Sequence, residues 1–236
     1  INYYPLDDKV ERMEISDFSF PQEQSMSLYI ENAQKFTIRP SAIRKLASEQ
    51  YHDVAIDSQV NLNLIQFYNT YPSSEVNGNF MTCWKMYADT PMDESVSQML
   101  YPDIKNKIEG LSDVQAVNQI LNWVQTAFQY EYDDKVWGHD RAFFAEETLY
   151  YPYCDCEDRA ILFTRLVRDL LGLKCILVYY PGHLASAVCL KQQVNGDYIS
   201  LDGDVYTICD PTYIGAPVGI TMPEMDNRSA KVIKLL

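Results

Sequence analysis

One stretch constrains the fold of this chain more than any other: a helix with both ends marked, covering Cys156–Leu171, set directly before a series of strand-like runs. Ala160, Phe163, Leu166, Val167, Leu170 and Leu171 recur at steps of three and four, so one helical face is apolar along its length. Pro152 keeps the preceding Tyr150-Tyr151-Pro152-Tyr153 segment out of a helix interior. Asp155 stands where an N-cap belongs, Asp158 three residues on makes an approximate capping box, and Gly172 closes the helix as a left-handed cap. Apolar runs at 174–180 and 183–190 follow, then two short runs punctuated by Asn195-Gly196 and Asp202-Gly203, both hairpin signals. One helix feeding a sheet predicts an α+β domain, with the helix packed on antiparallel strands.

The chain has 236 residues, enough for one or two domains, and its 47% hydrophobic and 22% charged composition allows a substantial core. The first ninety or so residues read as strands and turns. Residues 25–31, 35–39 and 60–68 mix β-branched, aromatic and alternating polar side chains, Pro40, Pro72 and Asn77-Gly78 punctuate them, and 41–50 reads as one short helix. Helical spacing then sets in over Glu94–Ile108 and 113–128, where Val117, Ile120, Leu121, Val124 and Phe128 share a face. The reading is a β-rich accessory module at 1–92 followed by a second domain at 93–236.

A net charge of -14 sets nucleic acid and anionic membrane surfaces aside as partners, because the protein's field repels them. The longest apolar run, Cys175–Tyr180, is far shorter than a membrane span. Eighteen Tyr, 9 Phe and 3 Trp suit the walls of a wet groove, and Tyr150, Tyr151, Tyr153, Tyr179 and Tyr180 cluster around the segments discussed next. The six cysteines lack the regular spacing of a disulfide framework, and Cys175, Cys189 and Cys209 fall in apolar runs as small hydrophobes. The chain starts at Ile1 without an initiator Met or a signal segment, which implies residues removed upstream and leans towards a location outside the cytoplasm, with the compartment left open.

Cys156 opens the marked helix, where unpaired backbone N–H groups and the positive end of the helix dipole favour a thiolate and can hold an oxyanion. The chain contains three histidines: His52 in the front region, His139 in a polar loop, and His183, which follows Pro181-Gly182 at the head of an apolar strand. Asp210 ends a later strand just before Pro211, the position of a turn-initiating Asp or of a carboxylate that orients an imidazole.

Tyr153-Cys154-Asp155-Cys156-Glu157-Asp158-Arg159-Ala160, then His183-Leu184-Ala185-Ser186-Ala187-Val188, then Cys209-Asp210-Pro211-Thr212-Tyr213 together resemble the transglutaminase-like superfamily of papain-like Cys-His-Asp enzymes, over roughly residues 112–222. The resemblance implies a transglutaminase-like core, with Cys156 as nucleophile, His183 as general base and acid, and Asp210 as the residue that orients His183. Cys154 departs from it, standing where members have Gly, and is open to three uses: inert neighbour, alternative attacking group or redox partner. Leu184 likewise replaces the aromatic that commonly follows the His. One oxyanion donor is expected at the Cys156 N–H; Trp137, Gln125 and Gln129 are candidates for the other, and Tyr153 for a substrate contact.

The triad makes a demand on topology. A plain meander through Asn195-Gly196 and Asp202-Gly203 would leave Asp210 about 40 Å from His183. The strand at 204–210 must therefore pair antiparallel with 183–190. A zinc site from Cys154, Cys156, His183 and Cys209 lacks a second closely spaced pair, Asp202-Gly203-Asp204 reads as a turn, and Asp133 and Asp134 read as solvated loop charges, so neither metal nor other cofactor is expected. The expected activity is acyl transfer at an amide bond of a peptide or protein substrate, as a cysteine peptidase or amidase. The alternatives are a cross-linking transglutaminase and a transglutaminase-like binding domain with an idle thiol.

Overall fold

The computed structural model describes residues 35–71, 80–192 and 194–236, together with two backbone strands near the start, β1 (Asn2–Tyr3) and β2 (Glu11–Arg12), which pair antiparallel. The architecture is mixed α/β, with an antiparallel five-stranded sheet as its largest β element. In chain order the elements are β3 (Arg44–Ala47), β4 (Ala55–Ser58), α1 (Leu62–Tyr68), α2 (Phe80–Asp89), α3 (Glu94–Ile108), α4 (Asp113–Thr126), β5 (Gln129–Tyr130), α5 (Asp133–Val136), α6 (Ala145–Tyr150), β6 (Tyr153–Cys154), α7 (Cys156–Leu171), β7 (Cys175–Tyr180), β8 (His183–Val188), β9 (Tyr198–Leu201), β10 (Asp204–Cys209) and β11 (Lys231–Lys234). The large sheet runs β11-β7-β8-β10-β9. No helix of the described residues is long and apolar enough to cross a membrane.

Helix α7 is the organising element. Its bounds and caps fall where the sequence places them: Asp158 accepts from the Asp155 N–H, and Gly172 takes the left-handed conformation at φ 63°. Every residue from Glu157 to Val167 is buried, because α7 is covered on more than one side. Leu162, Phe163, Leu166 and Val167 join Val117, Ile120, Leu121 and Val124 of α4 in one cluster. Ala160 and Ile161 pack with Leu177, Leu184, Trp84 and Phe144 in a second. Strand β8 is buried at all six positions for the same reason, including the polar His183 and Ser186, whose hydroxyl donates to the Cys209 carbonyl.

Strand β10 pairs antiparallel with β8, with Cys209 opposite Ser186, which is the pairing expected for residues 204–210 and 183–190. It reaches that place because β9 is laid on the outer side of β10 through a tight turn in which Asp202 and Gly203 both have positive φ. The excursion is pinned at Gly196, where a Cβ would meet the Gly219 carbonyl oxygen at 2.6 Å.

The front region departs from expectation at several points. Residues 41–50 contain strand β3 rather than a helix. Leu46 and Ser48 are buried at alternate positions, the Leu46 carbonyl accepts from Trp123 Nε1 (3.0 Å), and pairing with β4 overrides the weak helical spacing. Residues 60–68 contain helix α1 rather than a strand, because Asn61 caps it by accepting from the Asn63 N–H and Leu64, Ile65 and Tyr68 form one buried stripe. Residues 35–39 are irregular, tied to Asn61 through the Arg39 N–H. Helix α2 also lies in this stretch of expected strands and turns. The expected strand at 25–31, Pro72 and Asn77-Gly78 lie outside the described residues. Side chains from both sides of residue 92 share both large clusters, Leu46 and Ile56 with Val96 and Leu100 in one, Trp84 with Ile161 in the other.

Helix α6 carries a buried acid with a consequence for stability. Glu146 is 1% exposed, its Oε1 accepts from the Asp93 N–H (2.5 Å), and burial pushes its carboxyl up to about 7. The folded state therefore keeps a proton that the unfolded chain releases at an ordinary glutamate pKa near 4.5. Stability from this group is present below about pH 4.5 and is lost as pH rises towards 7, at up to about 1.4 kcal/mol per pH unit. Glu146→Gln should flatten the fall in urea midpoint between pH 5 and pH 7; an unchanged slope would refute this role.

Candidate active site

Cys156 is the first residue of α7, so its N–H has no intrahelical acceptor and points out of the helix start. Its half-buried side chain opens on a cleft of about 240 Å³. His183 and Leu184 of β8 form another wall of the cleft, with Trp84, Tyr130, Tyr132 and Tyr179 around the remainder and Asp140, Asp155 and Glu157 supplying charge.

His183 reaches the cleft because Pro181-Gly182 turns β7 back into β8, with Gly182 at φ 79° where that turn requires a positive φ. The β8–β10 register sets Asp210 diagonally from His183 on the same sheet face. His183 Nε2 and Asp210 Oδ2 are 2.8 Å apart, at 7% and 2% side-chain exposure. With the carboxylate accepting, Nε2 carries the proton and Nδ1 keeps its lone pair. The other oxygen of Asp210 accepts from the Thr212 and Tyr213 N–H groups (2.9 and 3.1 Å), so the turn before Pro211 and the imidazole contact are made by one side chain. Tyr180 stacks on the His183 ring with centroids 6.1 Å apart.

The surroundings of the thiol are more acidic than the helix-dipole argument alone implies. Cys156 Sγ donates to Glu157 Oε2 at 3.1 Å, and among the hydrogen bonds of the described residues none joins it to His183. Burial, then Glu157 and Asp155, push the thiol well above its ordinary value, opposed by the Leu184 N–H. Burial and the neighbouring acids thus favour the thiol of Cys156 over a preformed thiolate.

The other sequence candidates lie elsewhere. Gln125 is buried and fully engaged: Nε2 donates to the carbonyls of Asp210, Tyr213 and Ala216 (2.9, 2.9 and 3.0 Å), and Oε1 accepts from the Gly215 N–H (3.2 Å). It clamps the segment carrying Asp210 and has no donor left for an oxyanion. Trp137 lies under Arg141 at 4.3 Å, packs edge-on against Phe143 and Tyr151, and does not line the cleft. Gln129 and Tyr153 face each other across the β5–β6 pair, both exposed and outside the cleft lining. Cys154 is 3% exposed, receives the Arg159 Nε–H at 3.4 Å, and is pushed up by burial, the placing of an inert packing neighbour. His52 and His139 are exposed and line no part of the cleft.

Two groups of side chains went unassigned in the sequence. Tyr130 lines the cleft that Cys156 opens on, and burial, then Cys156 and Asp155, raise its phenol. The acids are the other. Asp133, expected to be solvated, is 7% exposed, accepts from the Arg141 N–H (2.5 Å), and is pushed up to about 7, mainly by burial. Asp155 and Asp158 are likewise raised by burial and by their acidic neighbours. Charges 20 or so residues apart in sequence carry no sign that they will converge.

No protein-family description matches this chain, and no curated protein matches it either.

Proposed function

We propose that this chain is a transglutaminase-like cysteine enzyme that transfers an acyl group from an amide, acting as a peptidase or amidase. The observation that carries the reading is the 2.8 Å His183–Asp210 contact, made from adjacent strands, on a cleft shared with a cysteine at a helix start. In this reading His183 Nδ1 takes the thiol proton as Cys156 Sγ attacks the amide carbonyl carbon. The tetrahedral oxyanion is held by the Cys156 N–H, with the Tyr130 hydroxyl as second donor. As the C–N bond breaks, His183 returns the proton to the leaving amine and a thioester remains. Water, deprotonated by His183, then releases the acid and restores the thiol. Aromatic and carboxylate walls favour substrates with apolar or cationic side chains.

The hydrogen bond from Sγ to Glu157 instead of His183 favours a second reading, a binding domain with an idle thiol. Incubation with a peptide library and a labelled primary amine separates the two. Amide cleavage by the unaltered chain and none by Cys156→Ala is the expected result. Amine incorporation would assign transamidation instead of hydrolysis, and no product from either chain would leave the binding domain as the reading.

A further inference from the structure

Tyr180 ends β7 and stands directly opposite His183 across the Pro181-Gly182 turn, so the two side chains leave the sheet on the same face. Their rings lie nearly parallel, 15° apart in plane with centroids at 6.1 Å. Tyr180 is 1% exposed and, unlike its neighbour Tyr179, does not line the cleft. It therefore backs His183 from within the protein rather than from the substrate side.

The phenol is tied at its far end. Tyr180 Oη donates to Asn227 Oδ1 at 2.6 Å, and Asn227 Nδ2 donates to Thr221 Oγ1 at 2.9 Å. The Thr221 N–H in turn donates to Asp197 Oδ2 (3.1 Å), and the Asp197 N–H donates to the Gly219 carbonyl (2.8 Å). The segment entering β9 and the irregular loop at 221–227 are thereby linked to one hydroxyl. Val178 of β7, Ala185 of β8 and Ile208 of β10 share a cluster with the ring, and Met225 of the same loop packs against it. Anchored at Oη and packed on its sides, the ring has one direction and one plane.

That plane matters for the imidazole. The Asp210 carboxylate holds Nε2 at 2.8 Å, which fixes one atom of the ring. A contact at one atom leaves the ring free to tip about it and to carry Nδ1 away from the thiol. A parallel neighbour opposes this, because tipping opens the stacked contact on one side and crowds it on the other.

We propose that Tyr180 is a positioning residue for His183, held to that task by Asn227: Asp210 sets which nitrogen bears the proton, and Tyr180 sets the plane in which Nδ1 meets Cys156. The consequence for catalysis rests on the acyl-transfer reading; the geometry of the rings does not. Residues 221–227, none of which lines the cleft, thus gain a part in the chemistry.

In the Cys156→Ala chain, the imidazole nitrogen signals of labelled His183 report the ring without any turnover. With Tyr180 and Asn227 in place they should show the Nε2–H tautomer alone. In Tyr180→Leu and in Asn227→Leu they should average towards a mixture of both tautomers, as the ring comes off Asp210. With Cys156 intact, Asn227→Leu should lower kcat for amide cleavage about tenfold and leave KM within about twofold. Asn227→Asp, which still accepts from the phenol, should restore kcat to within about twofold of the parent. Asn227 is half-buried on an irregular loop, so its variants keep the test open should Tyr180→Leu fail to fold. Unchanged nitrogen signals in Asn227→Leu, or a lower melting temperature with kcat intact, would overturn the proposal and leave Tyr180 as packing alone. No cleavage by the unaltered chain would remove the acyl-transfer reading instead, and the nitrogen signals would then decide the positioning of His183 by themselves.

Discussion

Asp210→Asn is expected to lower kcat/KM for amide cleavage by about 10³- to 10⁴-fold with little change in melting temperature. The asymmetry follows from the two jobs of the side chain. The amide oxygen of Asn still accepts the Thr212 and Tyr213 N–H groups, so the turn survives. Its NH₂ then faces His183 Nε2 where a carboxylate oxygen was, and only an imidazole with Nε2 as acceptor can meet it. That tautomer puts the proton on Nδ1, the nitrogen that must receive the thiol proton. His183→Ala should lose at least as much, because no second imidazole lines the cleft. Turnover of Asp210→Asn within tenfold of the parent would show that the pair does not act on Cys156.

Gln125→Leu is expected to destabilise the chain by about 3–5 kcal/mol, although Leu is close to Gln in volume and belongs on an apolar helix face. The cost comes from what the amide leaves behind. The carbonyls of Asp210, Tyr213 and Ala216 and the Gly215 N–H all lose a partner around a side chain that is 1% exposed. Equilibrium urea unfolding measures it, and a loss below about 1 kcal/mol would mean that the segment finds other partners. Activity should fall beyond what stability explains, since the clamp holds the backbone of Asp210 itself.

Much of this was legible in the sequence where the signals are local. The caps of α7, the strands before and after Pro181-Gly182 and the turn at Asp202-Gly203 depend on neighbours a few residues away, and they appear where their residues predict. The His183–Asp210 contact followed from motif order plus one topological requirement. The swaps at β3 and α1 have another origin: β3 is four residues long and held by Trp123 from far along the chain, and α1 depends on the Asn61 side chain accepting from the Asn63 N–H. Gln125 carries a signal of its inward role in the sequence, since it sits four residues after Leu121 on the buried face of α4 and so needs partners inside the protein. The acid cluster was out of reach, since Asp133 and Asp158 are brought together only by the packing of the α5 loop against α7.

The placing of β9 outside β10 has a further meaning for how this architecture can vary. His183 and Asp210 are brought together by the pairing of β8 with β10, and the chain between those strands is an excursion looping out from the sheet edge. Their separation is therefore set by ladder register and is insensitive to how many residues the excursion contains. Lengthening a loop is thermodynamically mild, about 0.6 kcal/mol for each doubling. The exposed Asp202-Gly203 tip is thus a natural attachment point at which foreign sequence, from an epitope tag to a small domain, can be carried while the imidazole and carboxylate keep their spacing.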